Sequence, residues 1–334
     1  MTESMIAKSL AHALASSCDG PVEWDAPSSR WTTLRAGGAT AALVEPRTVD
    51  SLRRLWRLCA TEGVPRLVVG KGSNLLISDE GFPGVAFRLG QCLNGLEVQG
   101  QEIVAGAGAP LPAIGQTALK AELSGSEWCV GIPGTLGGAV FMNAGCHGWE
   151  LADIAVEIES LTAEGEVVRR RAADAEFAVR TSCFQSNEEL ILGARLKLTP
   201  SSADRIRQQT EELLAYRKRT QPLSQPNCGS VFTNPPGHSA WKLIDDCGLR
   251  GLRCGGCAVS VKHSNFIVNL GDATARDIVT LIGMIQERVL ESSGVRLAPE
   301  LRIVGQPSSP RNSPAAAEAA VVAAPMEAAR AHQP

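Results

Sequence analysis

Gly131-Ile-Pro-Gly-Thr-Leu-Gly-Gly-Ala-Val-Phe-Met-Asn-Ala-Gly145 places five glycines and one proline within fifteen residues. A backbone so short of side chains allows very close approach to a large flat ligand. A loop that only packs an interior seldom needs so many glycines. The stretch therefore reads as a ligand-lining loop. Asn143 within it either hydrogen-bonds that ligand or stabilises a turn through its own backbone.

Upstream, Val69-Gly-Lys-Gly-Ser-Asn-Leu-Leu76 is a second glycine-rich loop, entered from the apolar run Leu67-Val-Val69. A short buried strand ending in small residues lets successive amides converge on an anion, though an ordinary strand-to-turn loop would look alike. Lys71 precedes the second glycine and no Gly-Lys-Ser/Thr ending follows, so this is not a P-loop. The Gly-x-Gly-x-x-Gly fingerprint of dinucleotide folds is incomplete as well.

Around these loops the hydrophobic period changes repeatedly, as in a mixed α/β chain. Leu52, Leu55, Trp56 and Cys59 predict a helix between a Thr48 cap and Gly63. Leu111, Ile114, Ala118 and Leu119 mark another. Residues 154–161 and 190–198 alternate as strands do. Residues 202–219 predict a charged amphipathic helix, with Ile206, Leu213 and Leu214 on one face, bridging two domains. A long helix is expected from Thr274, with Asp277 completing a capping box and Ile278, Leu281, Ile282, Ile285 and Val289 on its apolar face.

The chain of 334 residues is 44% hydrophobic with a net charge of −3, enough for a sizeable core and without the basic surplus of a nucleic-acid binder. No stretch approaches the roughly 18 apolar residues of a membrane span, and the alanine- and serine-rich start, carrying Glu3, Lys8 and His12, is unlike a secretory signal. A cytoplasmic setting with reduced thiols is expected for the ten irregularly spaced cysteines. The expected organisation is an N-terminal extension (1–20), a first domain (21–201), a second domain (202–305) and a disordered Ala/Pro/Ser-rich tail (306–334).

Thr33-Leu-Arg-Ala-Gly-Gly38, the loop from Gly70 to Asp79 and the loop from Gly131 to Gly145 are similar, in order and spacing, to the FAD-binding half of UDP-N-acetylenolpyruvoylglucosamine reductases. Further along, Phe177-Ala-Val-Arg-Thr-Ser182, Cys228-Gly-Ser-Val-Phe-Thr-Asn-Pro235, Trp241-Lys-Leu-Ile-Asp-Asp-Cys-Gly-Leu249, Val261-Lys-His-Ser-Asn-Phe-Ile-Val-Asn269 and Pro299-Glu-Leu-Arg302 resemble the same family in the same order. The resemblance runs from about Thr33 to Gly305. It implies an α+β chain: a p-cresol methylhydroxylase-type FAD-binding fold of two α/β subdomains, followed by a smaller α/β substrate-binding domain.

For the cofactor, the resemblance implies that Gly70, Lys71, Gly72, Ser73, Asn74 and Leu75 hold the pyrophosphate of non-covalently bound FAD. Gly131, Ile132, Pro133, Gly134, Gly137, Gly138, Asn143, Ala144 and Gly145 would line its adenine, ribitol and flavin, with Arg35 in support. NADPH is the implied hydride donor, and the enolpyruvyl ether of UDP-N-acetylenolpyruvoylglucosamine the implied acceptor. Hydride passes from flavin N5 to C3, and Ser230 gives a proton to C2. Arg180 stabilises the charge spreading into the carboxylate and Glu300 helps organise the intermediate. Arg217, Lys218, Asn234, Lys242, His263, Asn265 and Arg302 are the candidates for substrate binding, since a diphosphate and a carboxylate call for cations and amide donors.

Three departures from the family pattern stand out. Val179 replaces an aromatic residue often found before the arginine, Val261 stands where a glutamate is usual, and the tyrosine-bearing loop of one subgroup is missing. The run Cys247, Cys254, Cys257 and His263 has the residue types of a zinc site, but buried free thiols explain it better, so no metal is expected. Two other functions compete. An alcohol or sugar oxidase of the same fold often tethers FAD through a histidine, and His147 is the one near a cofactor loop. A non-catalytic nucleotide-sugar or flavin binder would need no Arg180, Ser230 and Glu300 together.

Overall fold

A computed structural model describes residues 7–305. The tail 306–334 and the first six residues of the N-terminal extension lie outside the described residues. Seven α-helices occur within them: α1 (Lys8–Ser17), α2 (Val49–Thr61), α3 (Leu111–Lys120), α4 (Leu136–Met142), α5 (Ala203–Thr220), α6 (Ala240–Asp246) and α7 (Ala275–Ser293).

The first sheet runs Val22–Pro27, Ala39–Val44, Phe82–Arg88, Arg66–Val69 across its width. Its last three strands are parallel and the first is antiparallel. Helix α2 covers one face, because Leu52, Leu55, Trp56 and Cys59 recur at helical spacing and all are buried. The Thr48 hydroxyl accepts the Ser51 amide and starts that helix where expected. Trp56 meets Phe87 edge-on at 5.3 Å, and its indole donates to the Thr162 carbonyl of the second subdomain at 3.1 Å.

The second sheet is antiparallel throughout, in the order Val167–Arg171, Ala155–Leu161, Leu190–Lys197, Glu102–Gly106, Leu96–Gln99. Helices α3 and α4 pack on it, and one hydrophobic core joins both sheets with α2, α3 and α4. Leu67 and Val69 are buried as a short core strand requires, but Val68 is 41% exposed. The reason is position: Arg66–Val69 is the edge strand, and its free face borders a cleft.

Helix α5 extends along α3 and the segment Glu127–Gly131, with Ile206 buried and Leu213 against the first core. Leu214 does not share that face; it is 37% exposed, one helical step round from Leu213.

A second core holds the C-terminal part, where α6 and α7 pack on the three-stranded sheet Arg253–Cys254, Cys257–Val259, Ile267–Asn269. Leu34, Ala36 and Leu76 of the first subdomain are part of that core, and Arg302–Val304 pairs in parallel with Leu75–Ile77. Thr274 and Asp277 form the expected capping box of α7. Asp79, from the loop after Leu75–Ile77, adds a second cap, accepting the Ala275 and Arg276 amides at 2.8 and 2.9 Å. Asp79→Ala leaves two helix-terminal amides without an acceptor, so an unfolding free energy lower by about 1–2 kcal/mol is expected in urea titration.

Candidate active site

A cleft of about 1320 Å³ runs between the two sheets and on to the C-terminal part. It exceeds the roughly 300–1,000 Å³ usual for one small ligand, so two ligands placed end to end are a natural filling. One wall is the loop Gly70–Asn74, the other the segment Gly131–Gly138, and they meet at one point: a Cβ on Gly70 would lie 2.5 Å from the Thr135 hydroxyl. Gly72 has φ +61°, and a Cβ there would lie 2.8 Å from Thr32 Cα. The Gly72 carbonyl accepts the Thr33 amide at 3.1 Å. Among the described residues, the amides of Lys71, Gly72, Ser73 and Asn74 donate to no protein acceptor. Amides left free on a tight loop suit a pyrophosphate, and a narrow glycine wall suits a flat ring system, so these residues fit FAD.

Gly70→Val drives a branched side chain into Thr135. Apoprotein carrying it is expected to bind FAD at least about a hundredfold more weakly, read by titrating flavin fluorescence.

At the far end of the cleft three segments converge. Arg180 sits in a tight turn closed by reciprocal bonds between Ala178 and Thr181 (3.1 and 3.0 Å), and its own φ is +57°. Its guanidinium donates to the Gly145 carbonyl at 2.9 Å and the Asn143 carbonyl at 3.3 Å, and its Nε lies 2.9 Å from Glu300 Oε1. Val179 beside it is 67% exposed, so the turn aims Arg180 inward and its neighbour outward.

Ser230 follows a turn in which the Asn227 side chain accepts the Gly229 amide at 2.9 Å. The Asn227 carbonyl accepts from the Thr33 hydroxyl at 2.6 Å, tying this turn to the first subdomain. Beyond Ser230, Val231 donates its amide to the Asn265 carbonyl (2.9 Å) and accepts the Glu300 amide at its own carbonyl (2.7 Å). Asn74 of the first glycine loop donates its side-chain amide to the Glu300 carbonyl at 3.0 Å. Burial pushes the Glu300 carboxyl up from its ordinary value, and the Arg180 charge opposes that rise.

Arg217 and Arg302 also line the cleft. Burial pushes both guanidinium groups down, and no carboxylate contributes at either. Arg302 lies over the Phe141 ring at 4.4 Å. Two cleft-lining cations with no carboxylate partner among the described residues make an anionic ligand electrostatically welcome.

Most of the residues expected from sequence line this one cleft: Arg35, Gly70 to Leu75, Gly131 to Gly134, Gly137, Gly138, Ala144, Gly145, Arg180, Arg217, Ser230, Glu300 and Arg302. Others do not. Asn143 is buried, and its amide serves Glu150, Ala178 and Ala152, bracing the Arg180 turn. Asn265 is buried too, its side chain bonded to both backbone groups of Phe232 at 3.0 and 2.8 Å. Asn234 accepts the Ala240 amide at the start of α6, and Lys218 and Lys242 are exposed on helices. The His263 ring accepts the Asn265 amide and packs on Phe266, and burial followed by the Arg250 charge lowers its pKa. In the cysteine run, Cys257 is buried with its thiol on the Cys254 carbonyl, and Cys247 faces the Arg288 carbonyl. Thr135, Phe141, Gln221 and Asn227 line the cleft without having been singled out from sequence. The first two stand inside the glycine-rich stretch itself, and Asn227 immediately precedes the Cys228-Gly-Ser motif.

A mixed sheet and an antiparallel sheet enclosing a glycine-walled cleft, with a match to the model of the FAD binding domain over residues 40–171, define an FAD-dependent oxidoreductase of p-cresol methylhydroxylase-type fold. The model of the C-terminal domain of UDP-N-acetylenolpyruvoylglucosamine reductase matches residues 221–304. The reductase of that name from Caldanaerobacter subterraneus subsp. tengcongensis is 41% identical over 288 residues, which are 86% of this chain and 95% of the relative. That of Synechococcus sp. strain JA-3-3Ab is 41% identical over 293 residues, covering 87% and 94%. The crystal structure of UDP-N-acetylenolpyruvylglucosamine reductase from Thermus caldophilus overlays with a TM-score of 0.74 at 36% identity, over 86% of this chain and 99% of that one. The chain belongs to the UDP-N-acetylenolpyruvoylglucosamine reductase family.

Proposed function

We propose that this enzyme reduces UDP-N-acetylenolpyruvoylglucosamine to UDP-N-acetylmuramate for peptidoglycan precursor synthesis, with NADPH as the source of reducing equivalents. The observation that carries the reading is the convergence of Arg180, Ser230 and Glu300 at one end of a cleft whose other end fits FAD. The loops Gly70–Leu75 and Gly131–Gly138 would hold FAD, which would supply hydride for C3 of the enolpyruvyl group, and the crossing point at Gly70 and Thr135 fixes the spacing of the loops. Arg180 binds the substrate carboxylate and stabilises the negative charge that develops there. Ser230 gives its hydroxyl proton to C2, a step open to so weak an acid because a carbanion-like carbon is a strong base. Glu300 holds Arg180 in place and lies beside the same carboxylate. Arg217 and Arg302 take the diphosphate or sugar end, where cations with no carboxylate partner among the described residues suit a nucleotide sugar.

The same reading divides the chain into a FAD-binding part, residues 21–201, and a substrate part, residues 202–305, although α5 packs on the first part. A cytoplasmic setting follows from the soluble nature of NADPH and a UDP-sugar. Among the described residues no helix is long and apolar enough to cross a membrane. A histidyl-tethered oxidase is disfavoured: no described histidine lines the cleft, and His147 stands edge-on to Tyr216 at 5.2 Å instead.

The test is anaerobic. The flavin of purified enzyme is bleached with NADPH, the enol ether is added, and flavin absorbance is followed. Recovery of colour with one UDP-N-acetylmuramate formed per flavin supports the assignment. Bleaching without recovery leaves the FAD fold standing and removes the substrate.

A further inference from the structure

Arg180 and Glu300 are ion-paired across the cleft, Nε to Oε1 at 2.9 Å. The Arg180 head cannot turn away readily, because its other nitrogens donate to the Gly145 and Asn143 carbonyls. Nor is Glu300 free to leave. Its amide is bonded to Val231, its carbonyl to Asn74, and its side chain is only 19% exposed. A ligand carboxylate that reaches the Arg180 guanidinium, which is 25% exposed, therefore comes up against a second carboxylate already paired with it. Two carboxylates on one guanidinium lie within a few ångström of each other, and in a half-buried site they do not both stay ionised.

Given the carboxylate-binding role proposed for Arg180, we infer that a ligand carboxylate displaces Glu300 as the anionic partner of Arg180, and that Glu300 takes up one proton from bulk water in the same event. Glu300 gains that proton rather than the ligand for two reasons. An enolpyruvyl or lactyl acid carries an ether oxygen on its α-carbon and is the stronger acid. Glu300 is also already disfavoured as an anion by burial, with Arg180 the influence that keeps it charged. The groups around it offer no substitute. Arg302, in the strand that begins two residues on, lies over the Phe141 ring. Asn74 is neutral, and the Cys228 thiol on the Ser230 loop is pushed up to about 12 by burial and stays protonated. Once neutral, Glu300 donates a hydrogen bond to the ligand carboxylate, so the site selects UDP-sugars that bear an acid over those that do not.

The linkage has a definite sign. Between the carboxyl pKa of the free protein and the higher one of the complex, affinity for a carboxylate ligand falls about tenfold per unit rise in pH. Calorimetric titration of the oxidised holoenzyme, repeated in buffers of different ionisation enthalpy, reads the proton directly. UDP-N-acetylmuramate carries the carboxylate and UDP-N-acetylglucosamine lacks it. About one proton taken up with the first and about none with the second is the expected result. Glu300→Gln should bind UDP-N-acetylmuramate with no uptake. Equal uptake with both ligands, or none with either, overturns the inference and leaves the substrate reading intact. Should Glu300→Gln fold poorly, the two-ligand comparison on the unaltered enzyme decides alone. If neither UDP ligand binds, both the inference and the proposed substrate class fall.

Discussion

Ser230→Ala should leave NADPH bleaching of the flavin at the wild-type rate and slow its reoxidation by the enol ether by about 10²–10⁴-fold. The asymmetry comes from where Ser230 sits. Its backbone is placed by bonds that do not involve its own hydroxyl: Asn227 holds the preceding turn, and Asn265 and Glu300 flank Val231. Removing Oγ therefore deletes the proposed proton donor while the segment that presents it keeps its course. Flavin content should be unchanged, because the Gly70 and Gly131 loops are built from other segments. Rapid-mixing absorbance of each half-reaction separates the outcomes. Equal loss in both halves would point to a distorted cleft, and undiminished reoxidation would remove Ser230 from the chemistry.

How much of this could be read from sequence depends on the range over which each signal acts. Helices α2 and α7 were legible to their caps, because a capping threonine and an apolar stripe lie within a few turns of one another. The glycine loops were legible as sites of close backbone approach, which requires glycine locally, and both line the cleft. Leu214 and Val68 were misjudged because their exposure is set by what lies opposite: α5 meets a narrow strip of the first core, and Arg66–Val69 is an edge. The site followed the same rule. Arg180, Ser230 and Glu300 came from separated motifs, but their meeting depends on pairings such as Leu75–Ile77 with Arg302–Val304, which no local pattern encodes. Polar residues were the hardest to place. Asn143 and Asn265 have the chemistry of ligand contacts and use it on the backbone of the Arg180 turn and of Phe232 beyond Ser230.

Arg180→Met is expected to lower turnover by about 10²–10³-fold, since it removes the cation proposed to stabilise the developing charge. It should also alter how stability varies with pH, which loss of a mere surface charge would not. In the folded protein the Glu300 carboxyl already lies above its ordinary value of 4.5, raised by burial and restrained by Arg180. Without that guanidinium the folded-state value moves further up, while the unfolded value stays where it was. A carboxyl with a raised folded pKa makes stability fall as pH rises from the unfolded value towards the folded one. In the variant this falling window opens at the same pH and extends higher. The gap in melting temperature between Arg180→Met and the unaltered enzyme should therefore be smallest in mild acid and widen towards alkaline pH. Any packing loss from the substitution adds an offset independent of pH, so the widening isolates the electrostatic part. A gap that stays constant across the series would mean that Arg180 does not hold Glu300 in its charged form, and that the pair does not act as a unit in the cleft.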